Sequence, residues 1–311
     1  MAAHRSLSAE DASAAGARLA TTPQPVRGFG HPKVMHRLKF LERMHEVLQP
    51  ATYLEIGVRK GASLALSRSR SIGIDPRPAV EKGLPPGASV FTATSDDYFA
   101  RDDALAPFDG HPVDLALIDG MHLLEYALRD YINIERRSEW WTVVVFDDVL
   151  PRDPAQTVRS GKAQSWTGDV FKMVHVLERH RPDLVCLRVD VAPTGLLVVL
   201  GADRSNTTLS DRYEGLLAEH ITADPQQVPA EILARAGAVR PERLLRAPFW
   251  SVLREGRAEG RPRAEGRPTL MRSLEEWSPP PPRPRGPLRR ELRRRVDFLE
   301  GWKRRRRTGT P

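Results

Sequence analysis

Three carboxylates and an imidazole stand at the ends of two apolar runs. "DLALIDGMH" (114–122) closes on Asp119 and His122, three residues apart, and "TVVVFDDVLP" (142–151) closes on Asp147 and Asp148. If these runs are neighbouring strands, Asp119, Asp147 and Asp148 converge in one cleft. Like charges so placed raise one another's pKa unless a cation neutralises them. Oxygen donors of this kind suit Mg²⁺ or Ca²⁺, and no cysteine or paired-histidine spacing suggests zinc. A divalent ion at Asp119, Asp147 and Asp148 would acidify a substrate hydroxyl and fix its oxygen for attack. A base must still take the proton, and an imidazole titrates near neutrality. His122 is therefore the candidate general base, with Asp119 beside it as the second catalytic candidate. His175 and His180, on a later helical pattern, read as structural or solvated.

A second group of residues looks built for a nucleotide-like ligand. "YLEIGVRKGASL" (53–64) is a strand, a turn with two glycines and a helix start. Gly57 lets backbone approach a ligand, Gly61 permits tight packing, and Glu55 is suited to a cationic group or to ordering the loop. "SIGIDP" (71–76) places Asp75 at the next strand tip, 20 residues after Glu55, where a carboxylate can take both hydroxyls of a ribose. "TATSDDYF" (92–99) offers Ser95 and Asp96 to an adenine pocket, although Ser95 and Asp97 would also serve as helix caps. Asp119 borders this ligand as well. A ribose-binding acid does not by itself distinguish a dinucleotide from S-adenosylmethionine.

The elements that must hold these residues alternate along the chain. "KVMHRLKFLERMHEVL" (33–48) has helical spacing and is ended by Pro50. Strand patterns follow at 51–56, 71–74, 89–92, 113–118, 142–146, 184–190 and 196–200, with helical patterns at 61–69, 123–138 and 168–180. That alternation predicts an α/β fold with a doubly wound, Rossmann-like, mostly parallel seven-stranded sheet. The last two strands are joined by only a few residues around Pro193, too few for a parallel crossover, so they form a terminal antiparallel hairpin. A dinucleotide site would want Gly-x-Gly-x-x-Gly, whereas this turn carries Arg59 and Lys60, and a terminal hairpin fits a dinucleotide fold poorly.

Residues 51–200 resemble the class I S-adenosylmethionine-dependent methyltransferases, whose seven-stranded sheet ends in such a hairpin. "EIGVRKG", "GIDP" and "SDDYF" correspond in order to that family's methionine-loop, ribose and adenine regions, with Arg59 in place of the commonest version's middle glycine. The resemblance implies S-adenosylmethionine as cofactor. The strand-tip acids are similar to those of metal-dependent O-methyltransferases, and this similarity implies Mg²⁺. Catechol methyltransferases place a lysine three residues after the first aspartate; His122 occupies that slot here. Macrolide-sugar O-methyltransferases, with "IDG-x-H" and "DD" at the two places, are more similar. The resemblance thus implies a sugar, glycan or other polyhydroxylated acceptor rather than a phenol.

Composition sets the remaining expectations. From Pro241 to Pro311 there are 20 Lys/Arg against 9 Asp/Glu, a balance of +11; the whole chain carries +8, so residues 1–240 carry −3. Attraction to anionic surfaces belongs to the C-terminal segment. The predicted organisation is a flexible leader at 1–30, a methyltransferase domain at 31–205, a short helical extension at 206–254, and a low-complexity linker and basic amphipathic tail at 255–311. "REGRAEGRPRAEGRP" (254–268) in particular reads as a disordered linker. The arginine-rich segment 289–307 suits an anionic membrane surface as peripheral partner. No base-reading motif accompanies it, so nucleic acid is not the expected partner. The one cysteine, Cys186, allows no intrachain disulfide and reads as a small core side chain. No run resembles a secretion signal or reaches the length of a membrane span, so a cytoplasmic setting is expected. "KAQSWTGD" (162–169) is a candidate substrate lid, with Trp166 as an apolar or sugar-stacking surface. Two other functions fit the same residues: a metal-independent small-molecule methyltransferase, and a non-catalytic cofactor-binding protein docked through its basic tail.

Overall fold

The computed structural model describes residues 34–277, except 82 and 162–164. The leader at 1–30 and the tail from 278 onwards lie outside the described residues.

Seven strands form one sheet: β1 (Thr52–Ile56), β2 (Arg70–Asp75), β3 (Ala88–Thr92), β4 (Val113–Ile118), β5 (Ser138–Asp147), β6 (Val185–Val189) and β7 (Leu196–Leu200). Their order is β3-β2-β1-β4-β5-β7-β6. β1 to β5 are parallel, and β7 runs antiparallel between β5 and β6. The mostly parallel sheet and its terminal hairpin are as the sequence predicts.

Strand composition shows why both faces must be covered. Val144 and Phe146 of β5 join one core with Leu54, Ile56, Ala116 and Ile118, while Val143 and Val145 join a second core with Tyr53, Leu115 and Leu117. A strand apolar on both faces is stable only between two layers, at about 1.5–3 kcal/mol per large side chain buried. The first core is closed by α2 (Ser95–Phe99), α3 (Leu124–Glu135) and α4 (Met173–His180). The second is closed on the other face by α1 (Arg37–Leu48). Strand order reverses between β1 and β4, and the crevice beyond such a switch point is where open α/β sheets bind ligands.

Two local expectations differ from the structure. The helix expected at 61–69 is only a 3₁₀ turn at Leu64–Leu66. Ser67 Oγ accepts from the Ser69 amide (3.2 Å) and bonds Ser71 Oγ (2.7 Å), so hydroxyl groups take over where helix bonds would continue. The segment 254–268, read as a disordered linker, is helical and packed. After the short helices α5 (Thr208–Asp211), α6 (Tyr213–His220), α7 (Ala230–Leu233) and α8 (Pro241–Leu244), the chain forms α9 (Phe249–Ala258) and α10 (Arg263–Trp277). Trp140 of β5 lies between these last two helices and donates from Nε1 to the Arg261 carbonyl (2.7 Å). A Cβ on Gly256 or Gly266 would lie 2.2 or 1.9 Å from the Trp140 ring. The glycines that make the segment look low in complexity are the clearance that admits the indole. Leu253, Leu270 and Leu274 complete the packing. Cys186, on the edge strand β6, is half-buried, and its thiol is pushed up to about 12 by burial. Among the described residues no helix is long and apolar enough to cross a membrane.

Candidate active site

The tips of three parallel strands are stitched together before any side chain is considered. The Asp119 amide donates to the Ile56 carbonyl, and the Gly57 amide donates to the Ile74 carbonyl, each at 2.9 Å. Gly57 has φ +90°, and a Cβ there would lie 2.1 Å from the Asp119 carbonyl oxygen. Only glycine lets β1 turn this close to the tip of β4. The next residues fold over the tip of β2: the Arg59 and Arg77 amides each donate to one oxygen of Asp75 at 2.7 Å.

This loop is one wall of a cleft of about 970 Å³, a size suited to a small-molecule ligand. Gly57, Asp75, Ser95, Asp96, Asp119, His122, Asp147 and Asp148 all line it. Glu55 and Gly61 do not. Glu55 is fully buried beneath the loop, where Tyr53 Oη (2.7 Å) and Ser63 Oγ (2.6 Å) donate to its two oxygens. Burial pushes its carboxyl up to about 7, against the pull of those two hydroxyls. Of the two roles expected of Glu55, this placement corresponds to ordering the loop. Gly61, at φ +74°, packs against Val80.

At the β3 side, Thr94 rather than Ser95 or Asp97 caps α2, its hydroxyl accepting from the Asp97 amide. Asp96 forms a bidentate pair with Arg129 (2.7 and 2.9 Å). Sequence reasoning missed Asp130, a buried carboxyl that also lines the cleft. Burial pushes it up to about 7, partly offset by a hydrogen bond from Ser95, and its Oδ1 has no partner. Its signal was faint, one acid inside an amphipathic helix.

The opposite end gathers the acids. Arg37, also missed, extends from the first turn of α1 and donates from Nη1 to Asp119 Oδ2 (2.9 Å) and to Asp147 Oδ2. Asp147 Oδ1 accepts from the Asp148 amide (2.8 Å), and Asp148 Oδ1 accepts from the Thr194 hydroxyl. Burial raises the carboxyls of Asp119, Asp147 and Asp148; neighbouring carboxylates push the same way and Arg37 pulls back. Burial works against the Arg37 charge, but Asp147 and Asp119 outweigh it and hold the guanidinium ionised.

His122 sits between two of these acids. Its Nδ1 is 3.3 Å from Asp148 Oδ2, and its Nε2 is 3.7 Å from Asp119 Oδ1. His122 (φ 52°) and Asp148 (φ 63°) both adopt left-handed backbone, a cost of about 1–3 kcal/mol each that clusters at functional sites. Trp166 meets the His122 ring edge to face (5.5 Å, 90°) and is anchored by Nε1 to the Val158 carbonyl (2.6 Å). Below it, buried Asp169 ties the loop to α3 by accepting from the Leu124 amide (2.9 Å) and from Arg159 (2.6 Å). Trp166 thus reaches the cleft, while 162–164 of the candidate lid lie outside the described residues.

Residues 54–149, from the middle of β1 to just past Asp148, match the family model described as a methyltransferase domain. The matched stretch carries most of the residues that line the cleft, among them Gly57, Asp75, Asp119, His122, Asp147 and Asp148. Among solved structures, the chain is similar to cofactor-bound Rv0187 from MTB (18% identity, 54% of this chain and 80% of that one, TM-score 0.43). It is similar also to the O-methyltransferase TomG from Streptomyces achromogenes, which is involved in tomaymycin synthesis and was solved with SAM (17%, 53% and 79%, 0.42). A third is the O-methyltransferase from Bacillus cereus in complex with SAH (14%, 53% and 80%, 0.37). No curated protein matches the chain.

Proposed function

We propose that this protein transfers the methyl group of S-adenosylmethionine to a hydroxyl of a sugar, glycan or other polyhydroxylated acceptor, with His122 as general base. The observation that carries this reading is the position of His122 between Asp119 and Asp148, in the same cleft as Gly57 and Asp75. In this reading Asp75, each of whose oxygens holds one loop amide, keeps lone pairs for the two ribose hydroxyls. Ser95 and Asp96 border the base, and Gly57 gives the donor close access to backbone.

The acceptor oxygen forms a bond to the methyl carbon while the sulfonium–methyl bond breaks, and the hydroxyl proton goes to His122. The ring nitrogens that can receive this proton lie beside Asp148 Oδ2 (3.3 Å from Nδ1) and Asp119 Oδ1 (3.7 Å from Nε2). The imidazolium so formed lies between two carboxylates, which lowers the cost of its charge. Trp166, at the edge of the histidine, offers an aromatic face on which a sugar can stack.

The donor atoms of Asp119, Asp147 and Asp148 bear on the Mg²⁺ that their types suggest. Both oxygens of Asp147 are engaged, one by Arg37 and one by the Asp148 amide, and Arg37 also holds one oxygen of Asp119. Within the cleft, the acidic and imidazole groups whose donor atoms lie within 4.8 Å of one another are Asp119, His122 and Asp148, without Asp147. Mg²⁺ prefers oxygen donors, whereas this set includes the His122 nitrogen and Asp147 is held by Arg37 and the Asp148 amide. The three-aspartate site does not fit Mg²⁺.

The test is incubation with methyl-labelled S-adenosylmethionine and a panel of sugars, glycans and phenols. Label is expected on a sugar or polyol oxygen. Label on phenols alone, or on an amine, refutes the acceptor assignment.

A further inference from the structure

The misfit between three strand-tip aspartates and a divalent ion has a structural cause. Arg37 Nη1 is within bonding reach of Asp119 Oδ2 and Asp147 Oδ2 at once. Asp147 is buried, and a buried carboxylate is costly unless a fixed positive charge or hydrogen bonds meet it. Arginine suits that position because it stays protonated and its planar fork presents several N–H groups in fixed directions.

The chain secures this guanidinium through its backbone. The Arg37 amide donates to the Ala192 carbonyl (2.8 Å), and the Ala192 amide donates to the Met35 carbonyl (2.9 Å). His36 begins α1 by accepting from the Leu38 amide at Nδ1 (3.3 Å). The entry to α1 is thereby sewn to the connection between β6 and β7. That same connection carries Thr194, whose hydroxyl holds Asp148 and whose carbonyl accepts from the Leu150 amide (2.6 Å). One stitch, residues 35–37 against 192–194, thus delivers a partner to each of the three acids.

We propose that Arg37 is the resident cation of this acidic cleft, holding Asp119 and Asp147 together in the place that three strand-tip aspartates would otherwise offer a divalent metal ion. Arg37 acts as a positioning residue: it leaves Asp119 Oδ1 and Asp148 Oδ2 turned to His122 and removes Asp147 from any metal shell. This deepens the methyltransferase reading of the site but does not need turnover for its test.

The test titrates the full chain and its Arg37→Met variant with Mn²⁺ alone, followed by calorimetry and by the free-ion spin signal. Arg37→Met keeps the aliphatic stem and removes the charge. The wild type is expected to show no saturable binding at millimolar Mn²⁺, and Arg37→Met to gain a site at least tenfold tighter. Saturable binding by the wild type that Arg37→Met leaves equal or weakens overturns the proposal, as does absence of binding in both. If Arg37→Met does not fold, the double variant Arg37→Met/Asp147→Asn removes the orphaned buried charge and is expected to fold. A double variant no more stable than the single one also overturns it. Since neither readout involves methyl transfer, a wrong acceptor or cofactor assignment leaves this result intact.

Discussion

Gly57→Ala is the substitution to which the cleft should respond most sharply. The native φ of +90° is one an alanine adopts at a cost of about 1–2 kcal/mol. The added Cβ would start 2.1 Å from the Asp119 carbonyl oxygen, so the tips of β1 and β4 must part by roughly 1 Å to restore ordinary contact. Parting them strains the Asp119-to-Ile56 and Gly57-to-Ile74 backbone bonds, each worth about 1 kcal/mol net. Gly57→Ala should therefore lower unfolding stability by about 2–4 kcal/mol. Urea denaturation with Gly83→Ala as control measures this, because a Cβ on Gly83 meets nothing within 4 Å. The same movement displaces Asp119 and the loop over Asp75, so S-adenosylmethionine affinity by calorimetry should fall at least tenfold. A Gly57→Ala protein within about 0.5 kcal/mol of the control, with unchanged affinity, would refute the close-approach argument.

Three further outcomes follow from other parts of the molecule. Gly266→Ala drives a methyl group into the Trp140 ring and should cost about 1–3 kcal/mol by denaturation; no loss would mean that α10 does not pack there. Asp130 carries a carboxyl raised by burial from 3.8 to about 7, so between those values the folded state binds a proton that the unfolded state releases. Stability from this group is therefore lost as pH rises from about 4 to 7, and Asp130→Asn should remove a pH-dependent penalty on the order of a few kcal/mol. Parallel stability–pH curves for the two proteins would contradict that. His122→Gln keeps size and polarity but removes the base, and should lower kcat by about 10²–10⁴-fold with donor affinity little changed; equal turnover would exclude His122 as the base.

The sheet and the convergence of Asp119, His122, Asp147 and Asp148 were legible because both follow from short-range rules. Apolar strands alternate with helices, and the crevice beyond the carboxyl ends of parallel strands is where such sheets bind ligands. Arg37 was not legible. In the sequence it is a polar position of an amphipathic helix, and only the pairing of residues 35–37 with Ala192 turns it towards the acids. Glu55, which the sequence leaves open between a cationic group and ordering the loop, is held beneath the loop by the hydroxyls of Tyr53 and Ser63. The segment 254–268 reads as a linker because its composition is low in complexity, whereas Gly256 and Gly266 stand where helices must approach an indole. In each case the deciding contact comes from a residue distant in sequence or from a side chain whose packing no local pattern encodes.

The most direct measurement follows the labelled methyl group from S-adenosylmethionine to product in the wild type and in His122→Gln, with donor binding determined on both by calorimetry. The account predicts label on a hydroxyl oxygen of a polyhydroxylated acceptor in the wild type, and binding without transfer in the variant. A wild-type protein that binds no S-adenosylmethionine, or a variant that transfers label as fast as the wild type, would contradict it.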